Sequence, residues 1–268
     1  MEWKNIYRGM VMGISDVVPG VSGGTIAVLL GFYDQLIAAI NGLFTREWKK
    51  HLAFLIPLGV GMGLAIFTFS RIMNWLLKYY EQPTYYFFIG LIIGMLPYLF
   101  RESEARKTFK WQHVLLLVVG AFLISQLDLN PEEGAIIVDR SFSTYLLLFF
   151  SGFIASAAMI LPGISGSLVL VVIGVYKTVI NAVSTLDLKV IIVVGIGIAF
   201  GIITMSKIIN YFLNHYRTAS FAFIIGLVIG SVFVIFPGWV TNFSEFLIST
   251  FVFAIGLFTA YILGKVEY

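Results

Sequence analysis

Apolar positions run almost unbroken along most of the chain, and the polar residues gather in short groups between the runs. Stretches over 52–77, 85–100, 112–127, 142–161, 188–213, 218–236 and 246–263 carry hardly any charge. Apolar runs of ~18 residues or more read as helices that cross a bilayer, because a helix satisfies its own backbone hydrogen bonds in hydrocarbon. The pattern predicts an all-α polytopic membrane protein, with connecting loops too short for a water-soluble domain. Two places depart from it. "DVVPGVSGGTIAVLLGFYDQLI" (16–37) and "MILPGISGSLVLVVIGVYKTVI" (159–180) each interrupt an apolar run with proline, glycines and serine, then resume it.

Composition sharpens this reading. Of 268 residues, 59% are apolar and 12% charged, against about 25% charged in soluble domains. Without cysteine there is no disulfide framework, thiolate nucleophile or cysteine metal site. The residues suggest no cofactor, metal centre or nucleic-acid partner. The N-terminal stretch is not expected to be a cleaved signal, since Asp16 and Pro19 interrupt it and no small-residue cleavage site follows.

The two interrupted phrases belong to a longer repeat. Residues 18–41 align with 161–184 at an offset of 143, sharing 9 of 24 positions: Pro, Gly, Ser, Gly, Val, Gly, Tyr, Ile and Ala. At an offset of 136, residues 59–80 share 9 of 22 positions with 195–216, and 85–100 share 7 of 16 with 221–236. Each copy holds a broken segment followed by three spans. If the break is a re-entrant hairpin or two full crossings, each copy crosses an odd number of times, so the second sits inverted. Residues 5 to 18 are too few to cross ~30 Å at 1.5 Å per residue, which favours the re-entrant form. The expected fold is two inverted-topology repeats, each a re-entrant broken helix pair plus three transmembrane helices. That gives six crossings and two re-entrant pairs, with ten crossings as the alternative. The first repeat spans 1–127 with its re-entrant pair at about 5–41. An extracellular acidic linker follows at 128–141. The second repeat spans 142–268 with its pair at about 142–184.

Charge in the loops sets an orientation, because cytoplasmic loops are enriched in Lys and Arg. Lys4, Arg8, Arg46, Lys49, Lys50, Arg101, Arg106, Lys107, Lys110, Arg217 and Lys265 fall on one side; Lys78, Arg140 and Lys189 fall on the other with Asp128, Glu132, Glu133 and Asp139. Both termini are therefore expected inside.

Backbone that leaves the helix within hydrocarbon persists where protein buries it or where it lines a polar cavity. Pro19, Gly20, Pro162 and Gly163 make the structural break, and helices are expected to restart near Ser22–Thr25 and Ser165–Ser167. Free amides and positive dipole ends at those starts suit an anion. The candidate anion site comprises Ser22, Gly23, Gly24, Thr25, Ser165, Gly166 and Ser167; the same small residues would also serve close helix crossing. Arg71 and Lys207 occupy matched repeat positions inside spans, where a cation costs ~3 kcal/mol unless it snorkels or pairs. One falls in each leaflet half, which would suit an anionic headgroup crossing the membrane. Asp16, one turn before the break, either pairs or caps locally or takes up a proton and couples transport to a proton gradient. Asp34 and Lys177 are matched positions of opposite charge, read as solvated residues near an interface.

The phrases "MGISDVVPGVSGGTIAVLLGFYDQLI" and "AMILPGISGSLVLVVIGVYKTVI" resemble the bacterial polyprenyl-phosphate transporter family called PopT, over essentially the whole chain. The resemblance implies a non-enzymatic transporter of the bacterial cytoplasmic membrane. It would return undecaprenyl phosphate, a lipid carrier for cell-wall polymers, from the outer to the inner leaflet. It marks Asp16, Pro19, Gly20, Ser22, Gly23, Gly24, Pro162, Gly163, Ser165 and Gly166. The residues alone argue only for an anion, so a transporter or channel for a small soluble anion stays open beside the lipid translocase. "GVSG" and "GISG" also match the nucleophile motif of rhomboid-type proteases, but His51, His113 and His215 are expected at helix ends, away from the breaks.

Overall fold

The computed structural model describes residues 3–16, 21–43, 45–126, 136–139, 141–240 and 242–267. Pro19, Gly20, Arg140 and most of the 128–141 linker lie outside the described residues. Every regular element among the described residues is a helix: α1 (Lys4–Asp16), α2 (Gly23–Leu29), α3 (Tyr33–Gly42), α4 (Trp48–Tyr79), α5 (Glu81–Glu102), α6 (Ala105–Thr108), α7 (Trp111–Ser125), α8 (Phe142–Ile160), α9 (Gly166–Ile173), α10 (Tyr176–Thr185), α11 (Leu188–His215), α12 (Arg217–Val234) and α13 (Phe243–Glu267). Among them α4, α5, α8, α11, α12 and α13 are long and apolar enough to cross a membrane. Large apolar side chains such as Phe67 and Phe251 point outward, as they do where the surrounding medium is lipid.

Helix pairing recurs in both halves of the chain. α1 packs along α4 as α8 packs along α11, whereas α7 leaves its own half to pack on α12 and α13 packs on α5. The correspondence extends to single residues. Gly9 lies against the Leu58 carbonyl and Gly152 against that of Val194; Gly90 lies against the Phe253 carbonyl and Gly226 against that of Leu117. A side chain at these positions would strike backbone, so glycine sets how near the helices come. Even the joints match: the α4–α5 junction turns at Tyr80 (φ −138°, ψ 44°) and the α11–α12 junction at Tyr216 (φ −134°, ψ 46°).

The return leg of each break is not one helix, as the sequence reading has it, but two. α2 and α3 meet at 120°, and α9 and α10 at 115°. Gly31 (φ 65°) and Gly174 (φ 82°) take the left-handed backbone at these bends, a conformation costly for any residue with a Cβ.

The halves differ in how deeply these bent pairs are seated. Every residue of α2 is buried, but in α9 the buried residue is Leu168. Leu29 is 1% exposed and its counterpart Val172 58%; Ile37 is 0% and Ile180 50%. α3 rests on α11, where Asn41 Nδ2 donates to the Ser206 carbonyl at 2.9 Å. Among the described residues α10 makes no comparable packing with α4. Beyond this contact, Asp34 near the start of α3 pairs with Arg217 at the start of α12 at 2.8 Å. Glu81 and Lys177, the matched positions, are both exposed. The central core gathers around α2, with Ile26 and Leu30 packed among Ile92 and Met95 of α5 and Ile225 of α12.

Candidate functional site

The end of α8 and the start of α2 meet. The chain leaving α8 at Met159–Gly163 lies directly against the start of α2. Ser22 Oγ donates to the Met159 carbonyl at 3.2 Å, and the Gly163 amide donates to Thr25 Oγ1 at 2.8 Å. Tyr33 Oη donates to the Ile160 carbonyl at 3.1 Å. Gly24 fits between: a Cβ there would stand 3.0 Å from the Ile160 oxygen and 3.2 Å from that of Met159. Ser22, Thr25 and Ser165 are buried. Gly163 holds φ 89° with the Leu227 backbone beside it. The frayed end of α8 thus obtains donors from the other half of the chain, which offsets the cost of leaving carbonyls unpaired in a dry interior.

The two helix starts at this junction are equipped differently. At α2 the first amides are engaged: Gly23 donates to Asp16 Oδ1 at 2.6 Å, Gly24 to Ser22 Oγ at 3.1 Å, and Thr25 to the Ser22 carbonyl at 2.9 Å. A carboxylate therefore already stands at this helix start, where the dipole favours negative charge. Asp16 Oδ2 is buried without a hydrogen-bond partner among the described residues. At α9 the residue matched to Asp16 is Met159, and Ser165 makes no side-chain capping bond. Instead the Ser165 and Ser167 hydroxyls pair at 2.7 Å, and Gly166 packs toward the Ala155 carbonyl. Gly166 and Ser167 are only partly buried.

Arg71 and Lys207 are exposed, on α4 and α11 respectively, and are not part of the hydrogen-bonded junction. Arg8, read from sequence as a loop cation, is instead inside: it is 4% exposed, with Nη1 donating to Asn5 Oδ1 at 3.2 Å and its guanidinium 4.9 Å from the Phe32 ring centroid. Asn5 in turn donates to the Phe54 carbonyl. An amide and a guanidinium three residues apart in the apolar run of α1 share one helix face, and that spacing was the available signal. Tyr33 is one of the nine identities of the repeat, so it was findable as well.

A serine nucleophile needs a base in reach. The Ser22 hydroxyl is committed to Met159 and Gly24, and that of Ser165 to Ser167. His113 Nδ1 accepts from the Lys110 amide, His215 stacks on Tyr211, and His51 packs on Gly42. The histidines serve helix ends rather than either break.

A family model described as undecaprenyl phosphate translocase-like (VCA0040-like) matches residues 12–251. A polyprenyl-phosphate transporter of Staphylococcus aureus is 43% identical over 274 residues, covering 99% of this chain and 97% of that protein. One from Vibrio cholerae is 35% identical over 257 residues, covering 88% and 79% respectively. No solved structure matches the chain.

Proposed function

Because the chain belongs to the undecaprenyl phosphate translocase-like family, we propose that it carries undecaprenyl phosphate from the outer to the inner leaflet of the bacterial cytoplasmic membrane, returning the carrier for cell-wall polymer synthesis. The halves are inverted repeats with both termini inside, and α1–α3 and α8–α10 are re-entrant, so that α8, although long enough to cross, turns back at its break and the 15-residue α7 crosses instead. The observation that carries this reading is the meeting of the α2 start with the α8 end through Ser22, Thr25, Met159 and Gly163. It supports one shared polar site for a phosphate rather than two separate packing defects. Ser22, Gly23, Gly24, Thr25, Ser165, Gly166 and Ser167 form the phosphate site, with its more open side at α9. Arg71 and Lys207 draw the headgroup toward it, one from each leaflet.

The test is leaflet accessibility of a labelled polyprenyl phosphate in proteoliposomes, with inorganic phosphate as competitor. Acceleration over empty vesicles is expected, with little competition. No acceleration, together with uptake of phosphate itself, would favour a small-anion transporter. Arg71→Ala and Lys207→Ala are each expected to lower the flipping rate about tenfold or more, equivalent to ~1.4 kcal/mol, with little change in thermal stability. Equal rates in both variants would remove these residues from the pathway.

The Asp16 carboxyl group occupies the α2 start, so a phosphate approaching that helix must displace it or find it protonated. This favours the coupling role over a purely structural cap. Asp16→Asn keeps an oxygen for the Gly23 amide but cannot titrate. The expected result is transport whose dependence on pH is lost while headgroup binding remains; an unchanged pH profile would make Asp16 a cap only.

Unequal seating of the two bent pairs supports alternation between sides. We read the Asp34–Arg217 side, with α3 on α11, as shut, and the Glu81–Lys177 side, where α10 makes no comparable packing with α4 among the described residues, as the one still to close. In an inverted repeat the reverse state follows by exchanging the roles of the halves. α10 would then seat on α4 and Lys177 would approach Glu81, the same ion pair with its charges exchanged.

A further inference from the structure

Two apolar grooves occupy matching places in the halves. One of about 500 Å³ lies among α1, α4, α5 and α13, and one of about 370 Å³ among α7, α11 and α12. Their walls share seven repeat positions of eleven. Leu76, Thr84 and Phe87 line the first; Phe212, Ser220 and Phe223, each 136 residues further on, line the second. The exchanged helices keep the register, with Val252 of α13 in one wall and Leu116 of α7 in the other. The Thr84 and Ser220 hydroxyls in the walls are satisfied within their own helices, Thr84 donating to the Tyr80 carbonyl and Ser220 to that of Tyr216. Apart from Trp75 and Tyr80 in the first groove the remaining walls are apolar, and the grooves suit apolar surface.

Each groove has a wall residue close in sequence to a break. Leu161, beside Pro162, lines the second, and Ile14, two residues before Asp16, lines the first. Lys207 and Arg71 stand two residues from the lining Met205 and Met73, which at 3.6 residues per turn puts them on the other face of α11 and α4, and they line neither groove. Both cations are exposed.

We propose that these grooves are binding sites for the isoprenoid chain of an anionic polyprenyl lipid, one serving each leaflet. This rests on the inverted arrangement above, which puts the Thr84 groove toward the outer leaflet and the Ser220 groove toward the inner. A lipid with one chain and one phosphate matches one groove and one break per leaflet. The chain slides along the flank of the protein while the phosphate travels through the junction, so the tail never crosses a polar region and the headgroup never enters bare hydrocarbon.

The experiment uses the full protein in proteoliposomes and a polyprenyl phosphate bearing a photoreactive group in its chain. Labelled peptides from both grooves are expected, with labelling lost on adding unlabelled polyprenyl phosphate and kept on adding excess phosphatidylglycerol. Equal loss with phosphatidylglycerol would make the grooves sites of ordinary membrane lipid and overturn the proposal; so would labelling confined to other surfaces. Leu116→Trp and Val252→Trp fill the grooves one at a time. Each is expected to lose labelling of its own groove and transport of the long-chain substrate, while a short-chain substrate such as geranyl phosphate still crosses. Undiminished long-chain transport in both filled variants would sink the grooves but leave the transport reading standing. Absence of flipping by the unaltered protein would do the reverse, because groove labelling is read without it.

Discussion

A protein carrying Asp34→Cys and Arg217→Cys, joined by a short cleavable thiol cross-linker, is expected to stop transporting and to recover when the linker is reduced. The chain contains no cysteine of its own, so only the introduced pair reacts. The native pair is close, at 2.8 Å, yet both side chains are roughly half exposed. Such a pair contributes about 0–1 kcal/mol, and Asp34→Asn alone should change stability little. Its importance lies in what it spans. It ties the bent segment of one half to a crossing helix of the other on the side where α3 rests on α11. Alternation requires that contact to open in every cycle, and a covalent tie forbids it. Glu81→Cys with Lys177→Cys should trap the reverse state and also reduce leaflet exchange of labelled lipid to that of empty vesicles. Full transport by the linked Asp34–Arg217 protein would rule out alternation between these sides.

Gly24→Val should separate the breaks without dismantling the bundle. The new Cβ alone would meet two carbonyl oxygens at 3.0 and 3.2 Å, and two further methyls have nowhere to go. Overpacking of this kind costs ~1–3 kcal/mol. Pushing the Met159–Gly163 segment away also strains the bond from Gly163 to Thr25, worth about 1 kcal/mol. The protein should insert and keep its helix content, while flipping falls about tenfold or more. Circular dichroism and the proteoliposome rate together check this. Gly24→Ala should fall between the two, and normal transport by Gly24→Val would show that close apposition of the breaks is dispensable.

The helical membrane character, the repeat and the places where helices restart could be read from the chain, because apolar run length and the matched Pro-Gly-Ser-Gly phrases are local signals. The bends at Gly31 and Gly174 were equally local but were absorbed into an apolar run, although a glycine followed two residues later by tyrosine recurs in both phrases. The contents of the junction were not legible. That Asp16 would fill the α2 start depends on the fold-back of α1, and that Ser22 and Thr25 would serve the carbonyl and amide of the other half depends on long-range packing. Arg71 and Lys207 stood out as charges in apolar spans, but only coordinates place them on exposed faces. Arg8 went the other way, because seating the Phe32 ring above it takes the bend at Gly31.

The exchange of α7 and α13 between the halves bears on how the molecule is made. Helix α7 leaves the ribosome roughly a hundred residues before α12, the helix it will pack against, and synthesis at ~5–20 residues per second makes that a wait of about 5–20 s. For that interval Gly120 and its neighbours present a notch cut for a partner not yet in existence. Neither half is complete on its own, and the nascent protein becomes a closed bundle only as its last third enters the membrane.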